Sequence, residues 1–348
     1  MTTAPKTYLT KKPAFVPFIV ENLPLISKLQ LIGFHKYKSR WAKRLGKSLG
    51  RLLFDFAYDT LKMSGQVSVS IVFDNQKRHL NFDARKLHFS SIFDKQLDNL
   101  CEPELATLLE AFLTGDKVFY DIGSNWGHFS MYAAALPNYS GPIHAFEPIE
   151  ETFSDLHAWV IQAGQEKRVS CHNIALSDSD GTAQMGVVPG SSGLASLARD
   201  QDQDSEKHKV QACRLDSLDY PKPDFIKLDV EGYENEVIQG GMNALTAKKP
   251  MMMFENWVTK DDPEHTLLPI KTLLGYGYLL FVPMWWIGAP TNELFWPLPH
   301  QAFPKGPRQM AYVPFDPETR FSLRDQINFF CCHEDRLSEV EQTFDVLN

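Results

Sequence analysis

The chain has few cysteines, five among 348 residues. So few cannot staple the fold, and the odd number leaves at least one unpaired. No Cys-x-x-Cys spacing is present to hold zinc, and the adjacent Cys331 and Cys332 would face opposite sides of a strand. Reduced, buried thiols are the expectation. Long apolar runs are also missing. No stretch of about 18 uninterrupted apolar residues occurs, so no transmembrane helix is expected. Pro17, Glu21 and Pro24 interrupt the apolar run near the N-terminus, which removes the pattern of a secretory leader. The resulting expectation is a cytoplasmic protein. Positive charge is scarce, with 35 Lys and Arg against 43 Asp and Glu. Eight of those basic residues fall within 28–51, where no acidic residue occurs. The remaining body is strongly acidic. That does not suit a nucleic-acid binder, because phosphate neutralisation dominates such affinity. With 43% hydrophobic and 22% charged residues, the composition is that of an ordinary globular protein.

What is present divides into zones, with no internal repeat. Residues 1–65 form a basic N-terminal extension. In it Leu45, Leu49, Leu52, Leu53 and Phe56 recur at helical spacing among Lys43, Arg44, Lys47 and Arg51. Such a helix can lie on an anionic membrane or a partner, or pack on the domain with its charged face in water. Residues 66–115 hold two alternating strands with a turn at Asp74-Asn75, then a helix over 102–112 opened by Pro103. From 116 to 333 strands and helices alternate, which reads as a doubly wound α/β domain. The expected strands are 118–122, 142–146, 169–176, 224–228 and 251–254, with two late ones near 278–282 and 327–332. Helices are expected over 127–135, 151–163, 235–245 and 263–274. A polar insertion at 178–212 reads as a loop, either a lid or a solvated excursion. Residues 334–348 form a tail.

Three strand ends carry the chemistry. The first ends in Asp121-Ile122-Gly123-Ser124-Asn125-Trp126-Gly127. Gly123 and Gly127 permit a tight turn and close approach to a ligand. Asp121 does not suit a pyrophosphate, but it attracts an ammonium group. The second ends in Phe146-Glu147-Pro148. An acid at that place takes two ribose hydroxyls. The fourth runs Lys227-Leu228-Asp229-Val230-Glu231-Gly232, and alternation puts Lys227, Asp229 and Glu231 on one side. Three such charges are costly unless used or paired. A structural ion-pair network is the plain alternative.

The ordered set Asp-Ile-Gly-Ser-Asn-x-Gly, Ala-Phe-Glu-Pro, Ala175-Leu176-Ser177-Asp178, Leu215-Asp216-Ser217-Leu218, Ile-Lys-Leu-Asp-Val-Glu-Gly-Tyr-Glu and Gly240-Gly241 resembles the FkbM family of S-adenosylmethionine-dependent methyltransferases. The resemblance covers about residues 66–333. It implies a Rossmann-like class I methyltransferase sheet of seven mostly parallel strands with helices on both faces, one late strand being antiparallel. It also implies O-methylation, often of a sugar hydroxyl. Carried onto this chain, Asp121, Gly123, Asn125 and Gly127 form the loop for the methionine part of the cofactor. Glu147 is the ribose acid, Ile174 and Ala175 flank the adenine, and Asp229 lies near the transferred methyl. Ser124 stands where alanine is commoner. Trp126 and His128 are bulky at variable places, and 1–65 and the Trp-rich 284–310 match nothing in the pattern.

A sugar hydroxyl needs a general base, or a metal that lowers its pKa. Asp229 and Glu231 are the leading bases, with Lys227 orienting them and Glu255 a third candidate. Converging carboxylates also suit Mg²⁺, so Asp229, Glu231 and Glu255 double as candidate ligands. His128 and His144 are further alternatives. Tyr276, Tyr278, Phe281, Trp285 and Trp286 form an expected aromatic cluster, which either stacks on the acceptor or builds a core or dimer interface. Two other classes compete: a non-catalytic scaffold on this fold, and a nicotinamide-dependent oxidoreductase. The second lacks its Gly-x-Gly-x-x-Gly spacing.

Overall fold

The computed structural model describes residues 6–10, 18–21, 52–53, 56–73, 75–83, 85–86, 89, 102–188, 191–196, 206–259, 261–296 and 304–347. The basic stretch 28–51 and nearly all of the expected 45–56 helix lie outside them.

Short strands Tyr8–Thr10 (β1) and Ile19–Val20 (β2) precede a hairpin of Gln66–Phe73 (β3) and Gln76–Asp83 (β4). Helix Pro103–Phe112 (α1) starts on its proline and buries Leu105, Leu108, Leu109 and Phe112, one face at helical spacing. Then come strand Phe119–Ile122 (β5), helix His128–Ala134 (α2), strand Ile143–Phe146 (β6), helix Glu150–Ala163 (α3) and strand Val169–His172 (β7). Strands Ala175–Ser177 (β8), Gly181–Val188 (β9), Ser191–Ser196 (β10) and Glu206–Arg214 (β11) form a separate sheet in the order β10-β9-β11-β8. The main chain path resumes with Phe225–Leu228 (β12), helices Glu234–Gly240 (α4) and Met242–Lys248 (α5), and strand Met251–Trp257 (β13). Helix Pro263–Gly275 (α6) and strands Tyr278–Ile287 (β14), Glu293–Phe295 (β15), Arg308–Pro314 (β16) and Gln326–His333 (β17) follow. Helix Leu337–Thr343 (α7) and strand Asp345–Val346 (β18) close the chain.

Seven strands in the order β7-β6-β5-β12-β13-β17-β14 make the doubly wound core, with β17 antiparallel to both neighbours. The sheet continues beyond them through β16, β1 and β18, and β15 pairs with β14. Residues of the extension and of the tail thus complete the same sheet. β5, β6 and β12 are buried throughout, as parallel strands covered on both faces must be. One face packs α1, α2 and α3; the other packs α4, α5 and α6. Cys331 and Cys332 fall in opposite cores, as adjacent strand residues do.

Three expected elements differ. The strand over 169–176 is two strands in two sheets, broken at Asn173, whose Nδ2 donates to the carbonyls of Glu147 (3.1 Å) and Pro148 (3.2 Å). The helix over 235–245 is two helices. A Cβ on Gly240 would lie 1.9 Å from the Ser177 carbonyl oxygen, so the turn must approach β8 without a side chain. The polar insertion over 178–212 is largely sheet rather than loop. Its alternation buries Met185, Val187 and Val210 against Ile149 and Ala175, a signal too short to stand out among polar neighbours. Residues 189–190 and 197–205 of that insertion lie outside the described set. Among the described residues, no helix is long and apolar enough to cross a membrane.

Candidate active site

Parallel pairing sets Asp121 on β5 level with Lys227 on β12, and Lys227 level with Met253 on β13, two residues before Glu255. These residues emerge on one face at the carboxyl ends of the strands. Lys227 is buried. Its Nζ donates to the Gly123 carbonyl (2.6 Å) and lies 3.2 Å from Asp229 and 3.6 Å from Asp121. Burial alone would depress the ammonium pKa, but Asp229, Asp121 and Glu102 together raise it above its ordinary value. The lysine therefore stays charged. Asp121 is fully buried, and burial raises its pKa against the opposing pull of Lys227. One Asp121 oxygen accepts from Ser130 Oγ at 2.7 Å. Lys227 thus neutralises two carboxylates and fixes the glycine turn in one place.

Glu147, at the end of β6, is buried and accepts from the backbone N–H groups of Asn125 (3.0 Å) and Ile149 (2.9 Å). Burial outweighs those bonds and pushes its pKa up to about 7. Asn125 has a left-handed φ of 51° and its side chain accepts from the Trp126 N–H. Gly127 directly precedes α2. Ile174 is half-buried. Ala175 is buried in the small core of the second sheet.

Asp229, Glu231 and Glu255 converge, each bringing a ligand atom within 4.8 Å of the others. Plain alternation does not achieve this. β12 ends at Leu228, and Glu231 is left-handed at φ 56°. The turn is held by Glu234, whose carboxylate accepts from the N–H groups of Val230 (3.2 Å) and Gly232 (3.1 Å). Burial raises the Glu234 pKa to about 7. Glu255 is buried, and burial with the charges of Asp229 and Glu231 drives its pKa far up. Trp257 Nε1 donates to it at 2.6 Å, and so does Gln326 Nε2. Asp229 and Glu231 are partly exposed, Asp229 with 31% of its side chain accessible.

Sequence reading missed Ser130, Asn173, Glu234, Trp257 and Gln326. Two of these carried a signal: Ser130, three residues after Gly127 at the end of the first motif, and Glu234, the last acid of the Asp229-to-Glu234 run. The histidines are engaged elsewhere. His128 stacks on Phe18 (4.9 Å), and His144 pairs with His172 (3.1 Å) and stacks on Tyr220. The expected aromatic cluster is not assembled. Tyr278 and Phe281 are buried in opposite cores, and Tyr276 is exposed. Of the five, only Trp285 lines the adjoining cleft.

That cleft, of about 370 Å³, opens where β14 and β17 part. They pair as far as Phe281 and Phe330. Beyond that point Met284, Trp285, Gln326 and Asn328 face a gap closed by Glu102 to Glu104 at the start of α1 and by Trp296 and Arg324. Gln326 belongs both to this wall and to the Glu255 contact.

Seven core strands with one antiparallel near the edge, and acidic loop ends at the switch point, define a class I methyltransferase fold. Within it, residues 117–279 match the family described as the methyltransferase FkbM domain. A curated relative, the hexuronic acid methyltransferase AglP of Haloferax volcanii, is 29% identical over 148 residues. That match takes in 41% of this chain and spans 58% of the relative's length. Among solved structures, methyltransferase FkbM of Methylobacillus flagellatus aligns over 82% of this chain and 76% of its own, at 11% identity and a TM-score of 0.38. The O-methyltransferase of Bacillus cereus, solved with S-adenosylhomocysteine, aligns over 67% of this chain and 91% of its own, at 15% identity and a TM-score of 0.36.

Proposed function

We propose that the chain is an S-adenosylmethionine-dependent O-methyltransferase whose acceptor is a hydroxyl of a carbohydrate. The observation that carries this reading is the charge set at the strand ends. Asp121, Glu147 and Asp229 surround the glycine turn, with Lys227 behind them. An acidic cradle suits a cationic sulfonium nucleoside with a ribose diol and an ammonium group, and repels a pyrophosphate. This disfavours the nicotinamide alternative, and so many buried charges disfavour an idle scaffold. The sugar acceptor is supported by the likeness to AglP, whose name specifies a hexuronic acid.

Bound there, the cofactor supplies an electrophilic methyl group for direct displacement. Glu147 has lone pairs left beyond its two backbone bonds to accept from the ribose hydroxyls. Asp229 takes the proton of the acceptor hydroxyl while Lys227 holds it in place. Glu255 retains its own proton at neutral pH and orients the cluster rather than serving as the base. A second reading has Asp229, Glu231 and Glu255 as oxygen ligands for Mg²⁺, on the strength of their convergence. The base reading is preferred because the Lys227 ammonium already brings positive charge to within 3.2 Å of Asp229. Full turnover in excess EDTA is expected, and its loss with recovery on adding Mg²⁺ would reverse that preference.

Calorimetric titration with S-adenosylhomocysteine tests the cofactor. Micromolar binding is expected, and its loss is expected in Glu147→Ala. A folded wild type that does not bind would move the scaffold alternative to the front.

A further inference from the structure

We infer that the cleft between β14 and β17 is an acceptor subsite that reads a carboxylate on the sugar ring through Arg324 and Trp296. The inference rests on the methyl-transfer reading above and adds a substrate class to it.

The argument begins with unmatched donors. Arg324 Nε and Trp296 Nε1 are both buried, and among the described residues neither has a hydrogen-bond acceptor. Buried donors without acceptors are costly, and both side chains also line the cleft, where a small rotation would bring these donors to a ligand oxygen. The guanidinium carbon lies 5.7 Å from the Trp296 ring centroid, so the two groups form one continuous surface. A carboxylate is acceptor-only when ionised and matches the guanidinium fork. A neutral hydroxyl would bring a further donor of its own.

The arginine is also pre-positioned. Arg320 is fully buried, and its guanidinium donates to the carbonyls of Arg324 (2.8 Å), Asp325 (2.9 Å) and Asn256 (2.8 Å). The backbone under Arg324 is therefore tied to β13. In the same cleft Glu104, whose charge also acts on Arg324, accepts from Asn328 Nδ2 at 3.0 Å. The cleft thus carries both signs: Glu104 suits ring hydroxyls, which donate, while Arg324 and Trp296 suit the carboxylate. Trp285 and Met284 offer the apolar surface on which a pyranose ring packs. Gln326 joins this cleft to Glu255, so a ring held here adjoins the carboxylate cluster in which Asp229 is the proposed base.

The test is ligand-observed NMR and calorimetry on the full chain with two probes, methyl glucuronide and the neutral methyl glucoside. Both are measured with S-adenosylhomocysteine present, and its own affinity is recorded in the same samples. The wild type is expected to prefer the glucuronide about tenfold or more, as a charge-assisted pair gives. Arg324→Gln is expected to abolish the preference. Trp296→Phe, which keeps the ring but removes the N–H, is expected to reduce it a few-fold. Arg324→Lys guards against a folding defect, since it keeps the charge without the fork and is expected to retain only part of the preference. A wild type without preference, whether both sugars bind or neither does, overturns the subsite. So does full preference in a folded Arg324→Gln. Loss of S-adenosylhomocysteine binding with the sugar preference intact would instead overturn the cofactor reading alone.

Discussion

On the mechanism proposed above, Asp229 is the residue on which the chemistry turns. It belongs to a three-carboxylate cluster in which it and Glu231 are partly exposed while Glu255 is buried, and Lys227 holds it at 3.2 Å. In Asp229→Asn the shape is kept and the base is lost. We expect S-adenosylhomocysteine affinity within a few-fold of wild type and kcat lower by about 10²–10⁴, the usual worth of a positioned base. Full turnover in that variant would remove Asp229 from the mechanism. Glu147 offers a pH signature. Its pKa stands near 7, so the carboxylate proposed to bind the ribose is lost as pH falls below that value. Cofactor affinity should rise with pH through about 7 and level off above it, with at most about a tenfold change per pH unit on the acid side. Glu147→Gln should bind weakly with a flat profile. Titrations from pH 5.5 to 8.5 separate the two.

At the scale of elements, the site is made where two turns touch. Gly123 has φ 71°, and a Cβ there would lie 1.7 Å from the Asp229 carbonyl oxygen. The turn after β5 and the turn after β12 are therefore in backbone contact, and no side chain fits between them. Gly123→Ala adds left-handed strain of about 1–2 kcal/mol and forces the turns apart. We expect a Tm lower by about 5 °C or more and loss of S-adenosylhomocysteine binding. An unchanged melting curve would mean that the turns are not in contact in solution. Lys227 reinforces the same junction from below, through the Gly123 carbonyl.

For the whole molecule, the buried carboxyls set how stability depends on pH. Glu147 and Glu234 have folded pKa values near 7 because burial disfavours their charge. A raised carboxyl binds more protons folded than unfolded between its model value near 4.5 and 7. Stability must then fall as pH rises through that window. Each group accounts for about 3 kcal/mol at most. Chemical denaturation should show higher stability at pH 5 than at pH 8. Glu234→Gln keeps an acceptor for the Val230 and Gly232 N–H groups, and should flatten the slope while raising stability at pH 8. A slope unchanged in that variant would assign the dependence to other groups. The sheet adds a second whole-molecule feature. β1 lies between β16 and β18, so residues from both chain ends complete one sheet edge.

The strand–helix alternation, the short buried strands and the glycine turn were legible because they depend on local periodicity and backbone sterics. The acids at the strand ends were legible for the same reason, since parallel strands must deliver their last residues to one edge. What tertiary structure alone decided was convergence. Glu231 reaches Asp229 and Glu255 only because Glu234 clasps a left-handed turn. Gln326 meets Glu255 only because β17 runs antiparallel beside β13. The break at Asn173, the second sheet and the joining of both chain ends to the main sheet likewise rest on pairings distant along the chain. Side-chain type and spacing determine which elements form. Which polar groups share a buried site is settled by register and long-range hydrogen bonds, which no local pattern encodes.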